Sequence, residues 1–210
     1  MKRRNRSSPA AAARTRLPFA AAAGILLLTG APDARALGPV DLEVEVKGGF
    51  GSAPYRANDA NAGNILGYGV GGRAGVALHG LYAGISAVNY AGEQVMTLMD
   101  QNGVIAPFRE YWSRALLAGA EVGYGFRFLG RVTVRPVVGT GDAFIQLSGR
   151  QTGGPTLSQH VLYLEPGVTA LVAIGPAFVG ADLNAALFLR QASEEDVFGF
   201  TAHLQAGFRL

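Results

Sequence analysis

Read with a period of two, the last fourteen residues, VFGFTAHLQAGFRL (Val197–Leu210), separate into two faces. Phe198, Phe200, Ala202, Leu204, Ala206, Phe208 and Leu210 fall on one side; Gly199, Thr201, His203, Gln205, Gly207 and Arg209 fall on the other. Successive side chains of a strand point to opposite faces, so this pattern predicts a strand with one apolar and one small-or-polar face. Val40 to Phe50 repeats it: Val40, Leu42, Val44, Val46 and Phe50 oppose Asp41, Glu43, Glu45 and Lys47. A helix would spread those charges around its circumference. A terminal strand of this kind needs a partner for its edge, and the first strand of the same chain is the simplest one. Pairing the two closes a barrel.

Six further strands are predicted between them. They run over Leu66–Leu78, from Leu81 to about Ala87, and over Glu110–Phe128, Arg131–Leu147, His160–Ile174 and Ala177–Leu189. Their apolar faces include Tyr68, Val70 and Val76, then Ile85, then Leu116 and Val122, with Leu66 assigned to the same side as Tyr68. Three connections are tight turns: His79-Gly80, Leu129-Gly130 and Gly175-Pro176. Four are long and polar or glycine-rich: Ser52–Asn64, about Asn89–Arg109, Ser148–Ser158 and Arg190–Asp196. Pro136 and Pro166 fall inside strands, where proline cannot donate to the ladder; a local bulge could absorb each. The expected fold class is all-β, an eight-stranded antiparallel up-and-down transmembrane β-barrel. Short turns at one end and longer loops at the other are the asymmetry of bacterial barrels.

Composition changes this picture at the amino terminus. Lys2, Arg3, Arg4, Arg6, Arg14 and Arg16 precede the apolar run Leu17–Leu28 and the sequence Ala34-Arg35-Ala36. Basic region, short apolar run and small-residue site describe a secretory signal peptide. The run is too short for a spanning helix. Arg3-Arg4 invites a twin-arginine route, but Asn5-Arg6-Ser7 lacks the apolar pattern that should follow, and the ordinary secretory route is expected. The expected division is a signal peptide over residues 1–36 and an outer-membrane barrel over 37–210. The leader holds 7 of the 18 Lys and Arg and 1 of the 15 Asp and Glu, so the remainder is near −3 and the basic pI of 9.4 belongs to the leader. That excludes nucleic-acid binding on charge. With no cysteine in the chain, disulfides, haem attachment and thiolate metal sites are excluded. A soluble secreted barrel or sandwich is the competing fold. It would want a charged, lysine-rich outer face, whereas Lys47 is the only lysine after the leader. Phe50, Trp112, Tyr124, Phe126, Phe128 and Phe198 tend toward strand ends, as interfacial girdles do.

Two stretches resemble a known group. Gly207-Phe208-Arg209-Leu210 resembles the carboxy-terminal signal of bacterial outer-membrane barrels, with Leu where that group usually has Phe. Val134-Arg135-Pro136-Val137-Val138-Gly139-Thr140-Gly141 resembles the RPYVGAG strand of small outer-membrane barrels, with Val137 in place of the aromatic. The whole chain after the leader is similar to the small bacterial outer-membrane β-barrel family, of OmpA/OmpX type or OmpW-like. The resemblance implies bacterial outer-membrane localisation. It also implies outer-membrane lipid as a partner and engagement of the barrel-assembly machinery through Phe198–Leu210. A partner for the outer loops is not identified.

Inside such a barrel the polar face gathers charge. Counted from the tight turns, Glu43, Glu45, Lys47, Arg73, Glu121, Arg135, Asp182 and His203 fall near mid-barrel, with Glu165 nearer the outside and Arg127, Arg131 and Arg209 at the periplasmic mouth. An eight-stranded interior is one that side chains can just fill, and unpaired charges there carry a large desolvation cost. A plugging ion-pair network is expected, with a gate formed by alternative pairings as the second reading. Inward glycines such as Gly69, Gly71, Gly123 and Gly139 would leave space for that gate.

Catalytic chemistry is sparse. Ser158 and His160 share a face at i, i+2 near the outer end of a strand and read as polar rim residues; contact is possible but not favoured. His203 is expected beside Asp182, and His79 lies in a turn. Three histidines on separate elements make a metal site improbable, and no cofactor is expected. Gly67-Tyr68-Gly69-Val70-Gly71-Gly72 superficially resembles a nucleotide fingerprint, but no helix follows it. The expected function is non-enzymatic, structural or surface-interacting, with a plugged lumen. The alternatives are a narrow conduit for small solutes and, more remotely, a lipid-modifying enzyme.

Overall fold

The computed structural model of the chain describes residues 40–57, 60–96, 109–149, 156–189 and 197–210. The expected leader (1–36) and the loop Arg190–Asp196 lie outside these residues, as do 97–108 and 150–155 of two other connections. The described residues form the strands β1 (Asp41–Ser52), β2 (Pro54–Ala57), β3 (Ala60–Asn64), β4 (Gly67–Leu78), β5 (Leu81–Met96), β6 (Arg109–Tyr124), β7 (Phe126–Phe128), β8 (Val132–Gly149), β9 (Thr156–Ile174), β10 (Ala177–Leu189) and β11 (Val197–Arg209). β2 and β3 form a hairpin of their own. The other strands make one antiparallel sheet in the order β6-β5-β4-β1-β11-β10-β9-β8-β7, closed by pairing of β6 with β8. β7 continues the line of β6 past Gly125, so the sheet is a closed antiparallel barrel of eight staves. The last stave pairs with the first from Glu43↔Arg209 to Ser52↔Phe200. Leu42 and Leu210 exchange both backbone hydrogen bonds, at 2.9 and 2.8 Å.

The tight turns gather at the end of the barrel that holds the carboxy terminus. His79 and Gly80 have φ of 51° and 88°, and Leu129 and Gly130 have φ of 48° and 69°. Two left-handed residues in succession are what a type I′ hairpin requires, since its twist matches that of the flanking strands. At the third turn Gly175, at φ 64°, takes the left-handed position ahead of Pro176.

Several boundaries differ from those expected. Ser52–Asn64 is not an open loop but carries the β2–β3 hairpin, which the Asn64 side chain ties to the barrel mouth. Its Oδ1 accepts from the backbone N–H of Ala53 (2.9 Å) and Leu66 (3.2 Å), and its Nδ2 donates to the Gly51 carbonyl (2.9 Å). The chain therefore turns inward before β4, and Leu66 is fully buried inside the mouth rather than on the outer wall. β5, expected to end near Ala87, runs on to Met96. No bulge forms at either proline. Pairing of the β6–β7 stave with β8 stops at Gly123↔Val137 and resumes in the same register at Phe126↔Val134. Beside Pro166 it stops at Asn184↔Gly167 and resumes at Leu187↔Leu164. The ladder skips two rungs where proline has no N–H, and nothing is inserted.

The register also sets the barrel's dimensions. Following paired residues once round, from Phe126 through Val134, Ala170, Ala181, Leu204, Gly48, Val70 and Asn89 to Leu116, returns to the same stave ten residues away. With about 3.3 Å per residue and about 4.8 Å between strands, that offset tilts the staves by about 40°. Each residue then climbs about 2.5 Å along the barrel axis. The outward apolar run on β11, from Phe198 to Leu210, therefore spans about 30 Å, close to the apolar band of a membrane barrel. Leu204, midway along it, is 74% exposed. A charge placed on a lipid-facing midplane position costs about 2–4 kcal/mol. Leu204→Arg is expected to lower stability by that amount in urea titrations of protein folded into phospholipid vesicles. A water-facing wall would leave stability nearly unchanged.

Candidate functional site

Inward residues of the staves build the site from alternate positions. Glu43, Glu45 and Lys47 project from one face of β1, where strand neighbours face them: Arg209 opposite Glu43, Arg73 opposite Glu45 and Gln205 opposite Lys47. Three linked groups result. Arg73 on β4 places its Nε 2.5 Å from Glu45 Oε1 and 3.1 Å from Glu121 Oε1, and donates through Nη1 to Thr169 at 3.3 Å. Arg135 on β8 reaches across the lumen and grips Glu43 with both terminal nitrogens, at 2.8 and 3.0 Å. The Nη2 contact is a charge-assisted hydrogen bond, and the Nη1 contact is an ion pair without hydrogen-bond geometry. Arg209 reaches the same carboxylate from the turn end (2.7 Å) and lies 3.6 Å from Asp41. Lys47 pairs with Asp182 at 2.8 Å, and Asp182 accepts from His203 Nδ1 at 2.6 Å. The other ring nitrogen of His203 meets the Tyr90 hydroxyl at 2.7 Å.

Neutral groups tie these clusters together. With its amide oriented to donate, Gln205 bridges Glu45 (3.0 Å) and Asp182 (3.2 Å). The Tyr82 ring packs beneath two guanidinium groups, Arg135 at 4.0 Å and Arg73 at 5.6 Å from its centroid, within cation–π range. Glu165 is half-buried nearer the loop end and accepts from Thr201 at 2.7 Å, while Thr201 accepts from Asn184. The remaining mouth residues stand apart from the network: Arg127 is half-buried, and Arg131 is exposed beside the Leu129-Gly130 turn. Glu43, Glu45, Lys47, Arg73, Glu121, Arg135, Asp182 and His203 are all buried, Arg135 completely.

A second layer lies above the first, toward the loop end. Val88, Tyr90, Leu117, Ile145, Tyr163 and Phe188 face inward and form one apolar cluster with Ile65 and Leu66 from the hairpin connection. Several inward glycines are filled by neighbouring rings, whereas Gly139 has room for a Cβ. A Cβ on Gly69 would meet the Tyr90 ring, and one on Gly75 or Gly84 would meet Tyr82. Small residues on one stave accommodate large side chains from the next.

Among the described residues outside the lumen, one pair carries chemistry. His160 Nδ1 lies 2.7 Å from Asp142 Oδ2 on the outer wall, with side chains 68% and 54% exposed. The Phe144 ring packs against the imidazole at 4.9 Å between centroids. Ser158, two residues along β9, is exposed. Among the described residues no group of three or more His, Asp or Glu is placed to hold a metal.

Sequence reasoning identified the charged members but missed Tyr82, Tyr90, Gln205 and Asp142. The first three share the inner face with the charges, so alternation alone could have found them. Asp142 belongs to the outer face, and its link to His160 depends on the β8–β9 register.

Removing one partner of a buried pair leaves an uncompensated charge, at a cost of about 3–5 kcal/mol. Arg73→Ala strands both Glu45 and Glu121 and is expected to lose that much in urea unfolding. The triple variant Arg73→Met/Glu45→Gln/Glu121→Gln should recover most of the loss, since it leaves no orphaned charge.

No family model matches the chain, and no curated protein matches it. Solved structures do. A major outer membrane protein from Thermus thermophilus superposes with a TM-score of 0.60 at 15% identity, covering 81% of this chain and 99% of that one. The N-terminal β-barrel domain of Pseudomonas aeruginosa OprF gives 0.52 at 15% identity, covering 81% and 97%. Neisserial surface protein A gives 0.52 at 14% identity, also covering 81% and 97%. The chain has the fold of the small bacterial outer-membrane β-barrels, and its apolar exterior of membrane height places it in that membrane.

Proposed function

We propose that the chain is a sealed barrel of the outer membrane, with a structural or surface-interacting role rather than that of a conduit. The observation that carries this reading is the filling of the interior in two layers. Buried ion pairs occupy the turn-end half, and the apolar cluster that Ala53, Ile65 and Leu66 join fills the loop-end half. A water-filled channel would need hydrated, accessible charges, whereas the lumen charges are buried and linked to one another. Within the sealed lumen His203 holds Asp182 and Tyr90 together, a hydrogen-bonding role that fits a structural layer. Outer-membrane lipid surrounds the apolar wall. The barrel-assembly machinery receives the chain through Phe198–Leu210, whose outward Phe198, Phe200, Leu204 and Phe208 are exposed along the closing strand.

Planar-bilayer recording of the folded protein, with a heat-shifted gel band as proof of folding, is expected to give no conductance steps. Discrete steps whose size changes in Glu121→Gln would replace the sealed barrel with a narrow pore gated by the ionic layer.

A further inference from the structure

The outer wall carries a constellation that the sealed-lumen reading leaves unused, and it bears on the expectation of a chain without enzymatic activity. On β8 and β9 the register places Gln146 opposite Ser158, Phe144 opposite His160 and Asp142 opposite Leu162. Asp142 and Ser158 therefore flank His160 on opposite sides along the strand, Asp142 toward the turns and Ser158 toward the loops. The Asp142 carboxylate already takes the Nδ1 side of the ring at 2.7 Å, and the Phe144 ring packs against the imidazole. That leaves Nε2 for the Ser158 side. Alternate residues of one strand are about 6–7 Å apart at the backbone, a gap that serine and histidine rotamers can close. Catalytic hydrogen bonds in unliganded sites are often long and tighten with substrate.

We propose that Ser158, His160, Asp142 and Gln146 form an acyl-ester hydrolase site on the outer wall, acting on the ester of a membrane lipid. The lipid chemistry follows from position. Level with Asp142 and below it, the outer face carries exposed Leu162, Leu164 and Val138, with Thr140 among them. An acyl chain lying against them would hold its ester at the level of His160, near the boundary of the apolar band. This inference rests on the membrane placement but not on the sealed lumen.

The reaction balances with water as the co-reactant. Ser158 Oγ attacks the ester carbonyl carbon while His160 Nε2 takes its proton. The Gln146 amide, opposite Ser158, donates to the developing oxyanion. The C–O bond to the alcohol breaks, and His160 returns the proton to that oxygen. Water then attacks the acyl-serine by the same route, releasing the carboxylic acid and free Ser158. Asp142 is a positioning residue that fixes the tautomer and orientation of the ring.

The test uses full-length protein folded in detergent, with a fluorophosphonate as the probe. The expected result is one covalent adduct mapping to Ser158 by peptide mass, absent in Ser158→Ala and in His160→Ala. All of these side chains lie outside the lumen, so the heat-shifted band should persist in each variant. Fatty-acid release is then measured from phosphatidylethanolamine vesicles and from purified lipopolysaccharide, which separates a glycerophospholipid ester from a glycolipid ester. Asp142→Asn should lower kcat by up to about ten-thousand-fold with little change in KM, by analogy with the triad aspartate. Asp142→Glu should restore part of the loss. The proposal is overturned by folded wild-type protein that takes no adduct and releases no fatty acid from either lipid, and equally by labelling that survives in Ser158→Ala. A conductance measurement on the same preparation reports on the sealed lumen separately.

Discussion

The constraint on which this structure depends is closure. β1 and β11 each have an edge that must be paired, and pairing them fixes the circumference, the tilt and the width of the interior. In lipid there is no water to satisfy an open edge, so the ring must be complete. Once it is complete, the interior is narrow enough that long inward side chains meet others from across the barrel as well as from the neighbouring stave. Arg135 on β8 gripping Glu43 on β1 is a contact that only a closed ring brings about. The same narrowness explains why Tyr82 and Tyr90 lie over glycines of the neighbouring stave.

The two interior layers answer different solvents. In the turn-end half the outside is apolar, so the polar side chains collect within, and the buried charges find counter-charges there. Toward the loop end the outer face turns polar at single positions of β5, β6, β8 and β9, while Phe198, Phe200 and Tyr68 stay outward and exposed. Tyr90, Leu117, Ile145 and Tyr163 point inward, while Asn89, Arg114, Asp142 and His160 point outward. That upper section has its own apolar core, joined by Ile65 and Leu66, and Asn64 ties the base of the β2–β3 hairpin to the barrel mouth. On β8 and β9 the outer polar residues, Asp142 and His160 among them, begin beside Leu162 and Leu164.

The change of outer face also explains which parts of the fold were legible in the sequence. Strands with one consistent apolar face over the membrane height, such as Val40–Phe50 and Phe198–Leu210, were read in the observed register, as were the three tight turns with their glycines. Reading failed where the preference changed sides. Asn89 looked like the start of a loop because a polar residue occupied the outward position, although β5 continues through it. Leu66 looked like an outer-wall residue because it continued the alternation of Tyr68 and Val70, although the chain turns inward before it. The lumen charges were legible as inward residues, but their partners were not, because those depend on the ten-residue offset around the ring. The Asp142–His160 link is of the same kind: a diagonal contact between strands that no spacing within one strand reveals.

The change of sides leaves a mark on how the protein can evolve. Along one stave, neighbouring outward positions fall under opposite selection: on β9, Leu164 and Leu162 must stay apolar, whereas His160 and Ser158 are free to be polar. The inward positions follow the inverse rule at the same level. The height at which tolerated residue types exchange therefore draws a contour across β5, β6, β8 and β9. That contour records the upper surface of the bilayer in the side chains themselves, so the depth of the protein in its membrane could be recovered from the substitutions it accepts.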